Sequence, residues 1–482
     1  MKDPQNYYQE LPEPFLKRMQ VLLGDEFDAY LSCLHQSPPI GIRVNTLKIS
    51  REEFARISPY KLSPIPWCST GFSIDDLIVE KGIITPGKHP YHSAGLYYLQ
   101  EPSAMIAGEV LFPQPGEKIL DLAAAPGGKT THLASFMGNK GLLVANDIHP
   151  KRVWDLAENL ERCGVTNAVV TNESPERLSN HFSDFFDRVL LDAPCSGEGM
   201  FRKSERARKE WKPELPHSCA IRQSGILEYA ARMLKPGGYM AYTTCTFSTE
   251  ENEGVIAKFL DEHPEFDLMT FTHAPGLLPS KPEWIGLPQD HKINRTMRIW
   301  PFKTSAEGHY IALLTKNEGT DKYKQNSRTK QEIYSMRTHK PRVISTVNAT
   351  LNDFANENIN FQFDNKQIRL VGSYVYCIPV EMPDITGLTV IHPGWWLGSI
   401  HKDRFTPSHA LAMGIRQDQA RHKIRLKLGD LEISAYLSGE TFHNTGADGW
   451  VLLTVDDFPI GWGKRVQNVV KNYYPHGLRR LS

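Results

Sequence analysis

What this chain lacks narrows its function first. No uninterrupted apolar stretch approaches the roughly 20 residues a membrane-spanning helix requires, so insertion into a bilayer is not expected. No excess of either charge exists: 55 basic residues face 55 acidic ones, so any nucleic-acid footprint has to be local. Cysteine is sparse, with seven in 482 residues, and no spacing joins them in a metal-ligand pattern. Their scatter, their odd number and the lack of an apolar leader between Met1 and Tyr30 lead to the expectation of a reducing, cytoplasmic compartment. Internal repeats and low-complexity tracts are also missing, which sets aside solenoids and disordered arrays.

What is present has the length of several domains. Leu11 to Leu34 carries apolar residues at helical spacing, and Gly41 to Lys48 alternates like a short strand. Proline-rich turns follow at 63–67 and 86–90. Residues 1–96 therefore read as a small N-terminal α/β module. From Lys118 to Thr315 short apolar runs alternate with amphipathic helices: Lys118 to Leu122, Gly141 to Asn146, Ala168 to Thr171, Arg188 to Leu191, Tyr239 to Thr244 and His309 to Thr315. That rhythm predicts a doubly wound, mainly parallel α/β sheet over 97–316. Residues 317–345 lose apolar character and gain lysine and arginine, as an exposed basic linker would. Beyond it, strand-like runs predict a small β-rich domain over 346–390 and a second β-rich domain over 391–482.

Two motifs carry chemistry. In the first, Ile119-Leu120-Asp121-Leu122 runs into Ala123-Ala124-Ala125-Pro126-Gly127-Gly128-Lys129-Thr130, a strand, a glycine turn and a helix start whose backbone amides can approach a ligand closely. As a pattern it also resembles a degenerate phosphate-binding loop, with Arg188 to Asp192 as an acidic partner strand, so an ATP-binding protein is a rival. Asp147 lies about twenty residues past the turn and closes the second strand, where an acid can hold both hydroxyls of a ribose. The G-x-G-x-x-G of nicotinamide sites is missing. S-adenosylmethionine fits the turn and the acid best.

The second motif is a pair of cysteines, each closing a strand-like run: Asp192-Ala193-Pro194-Cys195-Ser196-Gly197 and Tyr242-Thr243-Thr244-Cys245-Thr246. In one parallel sheet the two thiols would converge at the edge where open α/β sheets bind ligands. Paired reactive thiols suggest covalent chemistry, with one attacking and one helping release. Spacing alone does not decide which thiol attacks. Cys33, Cys68, Cys163, Cys219 and Cys377 have no such surroundings and read as small buried hydrophobes.

Ala123 to Lys129, Asp192 to Gly197 and Thr244-Cys245-Thr246, together with Arg43 to Leu47 and Gln100 to Met105, resemble the Sun-type RNA cytosine-5 methyltransferases. His392 to Trp395 and Arg404 to Leu411 resemble the C-terminal, PUA-like part of the RsmF subfamily. The resemblance implies a Rossmann-like methyltransferase sheet and S-adenosylmethionine as cofactor. Its implied substrate is cytosine in 16S ribosomal RNA, in the small subunit or an assembly intermediate, met by a monomer. Methylation at C5 of that base has a use for a thiol, because a covalent adduct at C6 makes C5 enamine-like, and Asp192 beside the base could hold its N4 and N3 edge. It also implies Cys245 as nucleophile and Cys195 in product release; in DNA cytosine-5 methyltransferases the Pro-Cys cysteine, here Cys195, would attack instead. A non-catalytic RNA-binding assembly factor is the remaining alternative. The family's acid after the third strand is replaced by Ser174, with Glu173 adjacent, so Ser174 is carried as the cofactor contact. Toward RNA the expectation names Arg43, Asn45, Arg202, Lys203, Lys464 and Arg465. Arg202 and Lys203 open the basic segment Phe201 to Trp211, and the other pair lies in a basic, aromatic C-terminus.

Overall fold

The computed structural model describes residues 11–74, 84–271, 274–318 and 341–480. Most of the expected basic linker lies outside the described residues.

Near the N-terminus, β1 (Gly41–Val44), β2 (Leu62–Pro64), β3 (Gly71–Ile74) and β4 (Tyr97–Leu99) form an antiparallel sheet in the order β2-β3-β1-β4. The next five strands, β5 (Lys118–Asp121), β6 (Leu142–Asn146), β7 (Ala168–Thr171), β8 (Phe186–Asp192) and β9 (Leu234–Thr244), pair in parallel in the order β9-β8-β5-β6-β7. These strands read as nearly continuous apolar runs because both faces are covered. Leu120, Val144, Val169, Val189 and Tyr242 join the core on one side. Ile119, Leu143, Ala145, Val170, Leu190 and Ala241 join the core on the other. The chain winds outward from β5 to β7, then returns to the far side of β5 to lay down β8 and β9. The resulting switch point lies between β5 and β8, and a doubly wound sheet opens its binding crevice at the carboxyl ends of such strands. All six runs expected between Lys118 and Thr315 are strands.

The sheet is wider than the sequence pattern indicated. β10 (Phe266–Leu268), β11 (Leu277–Pro279), β12 (Met297–Ile299) and β13 (His309–Lys316) add antiparallel pairings beyond β9. In the C-terminal half, β14 (Ile368–Val371), β15 (Tyr374–Cys377), β16 (Val390–His392), β17 (Trp395–His401) and β18 (Arg404–Pro407) follow, and β16 pairs with the edge strand β7. β14, β15, β17 and β18 form one sheet, so the divide expected at 390/391 falls inside a single unit. The reason is pairing across that point: Cys377 lies opposite Trp395 and Val375 opposite Gly398. The unit also opens with a helix, Pro341–Asn358, that buries Val347, Leu351, Phe354 and Ala355 at helical spacing.

The last sheet comprises β19 (Lys423–Leu426), β20 (Phe442–His443), β21 (Gly449–Val455), β22 (Phe458–Val466) and β23 (Val469–Asn472) in the order β19-β21-β22-β23-β20. Its Val451 and Val455, with Ile433 and Tyr436 of the helix Leu431–Ser438, share a core with Ile42, Val44 and Tyr97 of the N-terminal sheet. The N-terminal and C-terminal sheets therefore pack on each other. The helices Glu13–Leu23 and Phe27–Cys33 pack elsewhere, where Phe15 and Tyr30 meet Phe201, Trp211, Phe247 and Trp300.

Candidate active site

The carboxyl ends of β5, β6, β8 and β9 deliver the residues picked out by sequence to one crevice. After β5 the backbone turns through Ala123 to Gly127, where φ at Gly127 is 107°, a left-handed conformation that favours glycine. A side chain there would also press on Leu156 Cδ1 at 3.2 Å. The turn then enters the helix Gly128–Met137. Asp147, past the end of β6, is buried, and its carboxylate accepts from the backbone N–H of Ala125 at 3.1 Å and of His149 at 2.8 Å. Each oxygen keeps a second lone pair for another donor. Ala124 donates to the Asn146 carbonyl at 2.8 Å, so turn and acid are tied into one rim.

Asp121 was not among the sequence candidates, although it ends β5 beside the turn. It is fully buried; one oxygen accepts from Thr130 Oγ1 at 2.7 Å, and Oδ1 has no partner. Burial pushes its carboxyl up to about 7. An acid so placed gains from any cationic group brought to it.

At the end of β8, Asp192 accepts from Lys129 Nζ at 2.7 Å and from Thr243 Oγ1 at 3.0 Å. Burial works to raise the Asp192 carboxyl, but the Lys129 charge outweighs it and holds it below the usual value. Lys129 is correspondingly raised: burial opposes its charge, and Asp192 and then Cys245 more than offset it. Parallel pairing places Asp192 opposite Thr243, which explains how residues about fifty apart in sequence meet.

The two cysteines do converge: Cys195 Sγ and Cys245 Sγ are 3.4 Å apart, and both are free thiols. The Cys195 thiol is raised well above its ordinary value, first by its hydrogen bond to Cys245 and then by burial; either sulfur can donate across the pair. Their loops are zipped together. Gly199 N–H donates to the Cys245 carbonyl at 2.8 Å, and a Cβ on Gly199 would sit 2.7 Å from that oxygen. Glu251, also unanticipated, accepts from Ser196 N–H and from Gln223 Nε2, each at 2.9 Å, and bonds the Ser196 hydroxyl. It is completely buried, and burial pushes its carboxyl up to about 7.

Ser174 caps the helix Pro175–His181 by accepting from Arg177 N–H at 3.3 Å. The neighbouring Glu173 is occupied: its carboxylate takes Thr389 N–H at 2.6 Å and Arg177 Nε at 3.2 Å.

The expected RNA contacts need correction. Arg43 is buried, and its guanidinium bonds Gln100, the Gly128 carbonyl and Thr131 Oγ1; it holds the N-terminal sheet against the glycine turn. Asn45 is buried and donates to the carbonyls of Gly95 and Cys163, each at 2.8 Å. Arg202 is buried in an ion pair with Glu307 at 3.1 Å and donates to the Cys33 carbonyl. Arg465 is buried, with the Ala447 carbonyl at 3.0 Å and Asn444 Oδ1 at 2.5 Å. Phe201, Trp211 and Trp462 are core residues as well. A guanidinium with five donors satisfies buried carbonyls well, and composition gives no sign of which arginines do so. Lys203 is exposed, and the half-buried Lys464 lies 5.4 Å from the Trp450 ring centroid, beside Tyr473.

Comparisons with known proteins agree with this geometry. The family model described as 16S rRNA methyltransferase RsmB/F matches residues 108–315. Models of the RsmF N-terminal domain, first C-terminal domain and PUA domain match 11–102, 353–415 and 423–480. Ribosomal RNA small subunit methyltransferase F of Vibrio vulnificus strain YJ016 is 32% identical over 478 residues, covering 98% of each chain. The protein of that name from Enterobacter sp. strain 638 is 30% identical, covering 97% of this chain and 96% of its own. Among solved structures, a methyltransferase homolog protein from Pyrococcus horikoshii superposes with a TM-score of 0.56 at 31% identity, covering 63% of this chain and 95% of the other.

Proposed function

Because the chain belongs to the RsmB/F family of 16S rRNA methyltransferases, we propose that it methylates C5 of cytosine in small-subunit ribosomal RNA, using S-adenosylmethionine. The observation that carries this reading is the thiol pair, 3.4 Å apart at the ends of β8 and β9, beside the Lys129 to Asp192 ion pair.

The residues present fit the cofactor. Asp147 offers lone pairs to the ribose hydroxyls, and the orphaned Asp121 Oδ1 offers a buried acceptor to the ammonium of the amino-acid part. The turn Ala123, Ala124, Ala125, Pro126, Gly127, Gly128 and Lys129 gives the backbone close approach, and Ser174 is proposed toward the adenine. When bound, S-adenosylmethionine supplies a methyl group on a sulfonium.

Lys129 and Cys245 lie close enough for their charges to interact, and the Cys195 thiol, 3.4 Å from the Cys245 sulfur, is placed to give it a hydrogen bond. The Cys245 sulfur adds to C6 of a cytosine splayed out of its stack. Asp192, kept ionised by Lys129 and Thr243, accepts from the N4 amino group, and from N3 once that nitrogen takes up a proton from solvent, which it gives back when the sulfur leaves. C5 takes the methyl group. Loss of the C5 proton to a base restores the ring double bond as the Cys245 sulfur leaves with the bonding pair, toward the Cys195 thiol.

Two rivals fit less well. A phosphate-binding loop would need Lys129 free, whereas it is held by Asp192, and the buried Asp121 would repel phosphate. Attack by Cys195, the DNA-enzyme arrangement, is disfavoured by the chain's place in the RsmB/F family, since the Sun-type resemblance assigns attack to the Thr-Cys cysteine, Cys245. Lys203 and Lys464 are proposed toward RNA phosphates. Among the described residues no helix is long and apolar enough to cross a membrane, and the reading places a monomer in the cytoplasm, acting on the small subunit or an assembly intermediate. Bisulfite sequencing of ribosomal RNA from cells with and without the gene is the test. One or more small-subunit cytosines should lose protection in its absence, and an unchanged pattern would overturn the reading.

A further inference from the structure

Cys68 read from sequence as an inert small hydrophobe, and the structure gives it different company. It lies in the tight turn between β2 and β3, where its N–H bonds the Ile65 carbonyl and its carbonyl accepts from Gly71, each at 3.1 Å. Across from it stand Glu109, on the helix Ile106–Leu111, and His132, on the helix Gly128–Met137. One ligand atom from each of the three lies within 4.8 Å of the other two. The three come from separate segments of the chain, and none belongs to the reaction site.

We propose that Cys68, Glu109 and His132 form a binding site for a thiophilic divalent cation of the zinc class, which clamps the N-terminal sheet to the helix that opens at the glycine turn.

His132 is the second observation that points to a ligand. Its side chain is buried; Nδ1 has no partner, and Nε2 has no well-aligned hydrogen bond, only the Glu109 carboxylate of the same triad. Nε2 stands 3.4 Å from Glu109 Oε1. The ring is also fixed in place: it stacks on Phe136 with centroids 4.9 Å apart, and a Cβ on Gly108 would come 2.3 Å from Nδ1. Leaving a buried imidazole unbonded is unfavourable unless something coordinates it. Glu109 is oriented from outside the triad, since Ser69 donates both its N–H and its hydroxyl to Oε1 at 2.9 Å. Such supporting bonds are what aim a carboxylate at an ion.

The donor set selects the ion. Thiolate and imidazole favour zinc over magnesium or calcium, which take oxygen ligands. Zinc to sulfur and zinc to nitrogen or oxygen distances of about 2.0–2.3 Å imply ligand separations of roughly 3.3–3.8 Å, a small contraction of the triad. Within the triad charge balances, since a dication meets one thiolate and one carboxylate with neutral imidazole; the buried Arg43 guanidinium nearby adds a positive charge that favours the thiolate and opposes the ion. On binding, the Cys68 S–H bond breaks, its proton passes to solvent and its sulfur pair bonds the metal. Ser69 is exposed and Glu109 half-buried, which opens a path for entry and leaves the fourth position to water.

Elemental analysis of the full-length chain, loaded with zinc sulfate and dialysed, tests the proposal. About one zinc per chain is expected in the wild type and in Cys195→Ser/Cys245→Ser, whose absence of the other thiol pair removes the competing site. Cys68→Ser and His132→Gln should each lose it. Substitution with cobalt(II) should give a thiolate-to-cobalt charge-transfer band in the wild type that is absent in Cys68→Ser. Well under one zinc per wild-type chain, or metal retained by Cys68→Ser, or metal lost only with the Cys195 and Cys245 pair, would each overturn the site. Should Cys68→Ser fail to fold, His132→Gln carries the same decision.

Discussion

Cys195 Sγ and Cys245 Sγ share a hydrogen bond across 3.4 Å, although the two residues are 50 positions apart in sequence. A disulfide would need about 2.05 Å, so the pair is reduced and ordered, one thiol supporting the other. Parallel pairing of β8 with β9 sets that contact, and Glu251 beneath Ser196 keeps the loops in place.

Lys129 should matter to the reaction more than to the fold. Lys129→Met removes the charge beside both Cys245 and Asp192, so single-turnover adduct formation should slow by about 10²–10³-fold. The Asp192 carboxyl, no longer held down, should rise, and activity should fall off at a higher pH than in the wild type. A full-rate variant with an unmoved pH profile would remove Lys129 from the mechanism.

Asp121 gives cofactor binding a pH dependence of known sign. Its carboxyl sits at about 7, and accepting from an ammonium requires the ionised form. Calorimetry should therefore show S-adenosylmethionine affinity rising from pH 6 to pH 8. Asp121→Asn should bind about tenfold or more weakly, with that slope flattened.

Glu251 bears on stability. Its pKa in the fold, about 7, is above its ordinary 4.5, so the folded state retains a proton that the unfolded state has lost. Stability should then fall as pH rises from about 4.5 to 7 and level off above. The contribution is up to about 3 kcal/mol. Asp121 adds a fall in the same window, so Glu251→Gln should flatten the denaturation midpoint against pH only in part. No change in slope would contradict the assignment.

The corrected RNA face separates two kinds of basic residue. Lys203→Ala and Lys464→Ala should each lower the slope of log affinity against log salt by about 1 and leave melting unchanged. Arg43→Ala should leave the salt slope alone and cost about 3 kcal/mol of stability, because Gln100 and the Gly128 carbonyl lose their buried donor.

The sequence was legible where the physics is local. Alternating apolar runs located β5 to β9 and β13, and strand ends rich in small residues located the turn, Asp147 and both thiols. Charge was the poor guide: Arg43, Arg202 and Arg465 look like phosphate contacts by composition, yet each satisfies carbonyls or acids contributed by distant segments. Pairing of β16 with β7, across more than two hundred residues, is likewise a tertiary choice that no local period encodes. Asp121 and Glu251 were missed because what marks them is burial, a property of the folded chain.

The most direct test is trapping of the covalent RNA adduct on a denaturing gel, with small-subunit ribosomal RNA and S-adenosylmethionine, for the wild type, Cys245→Ala and Cys195→Ala. Cys245→Ala should form no adduct, and Cys195→Ala should form it and accumulate it as a slowly released complex. Adduct from Cys245→Ala together with none from Cys195→Ala would reverse the roles of the two thiols and contradict the account.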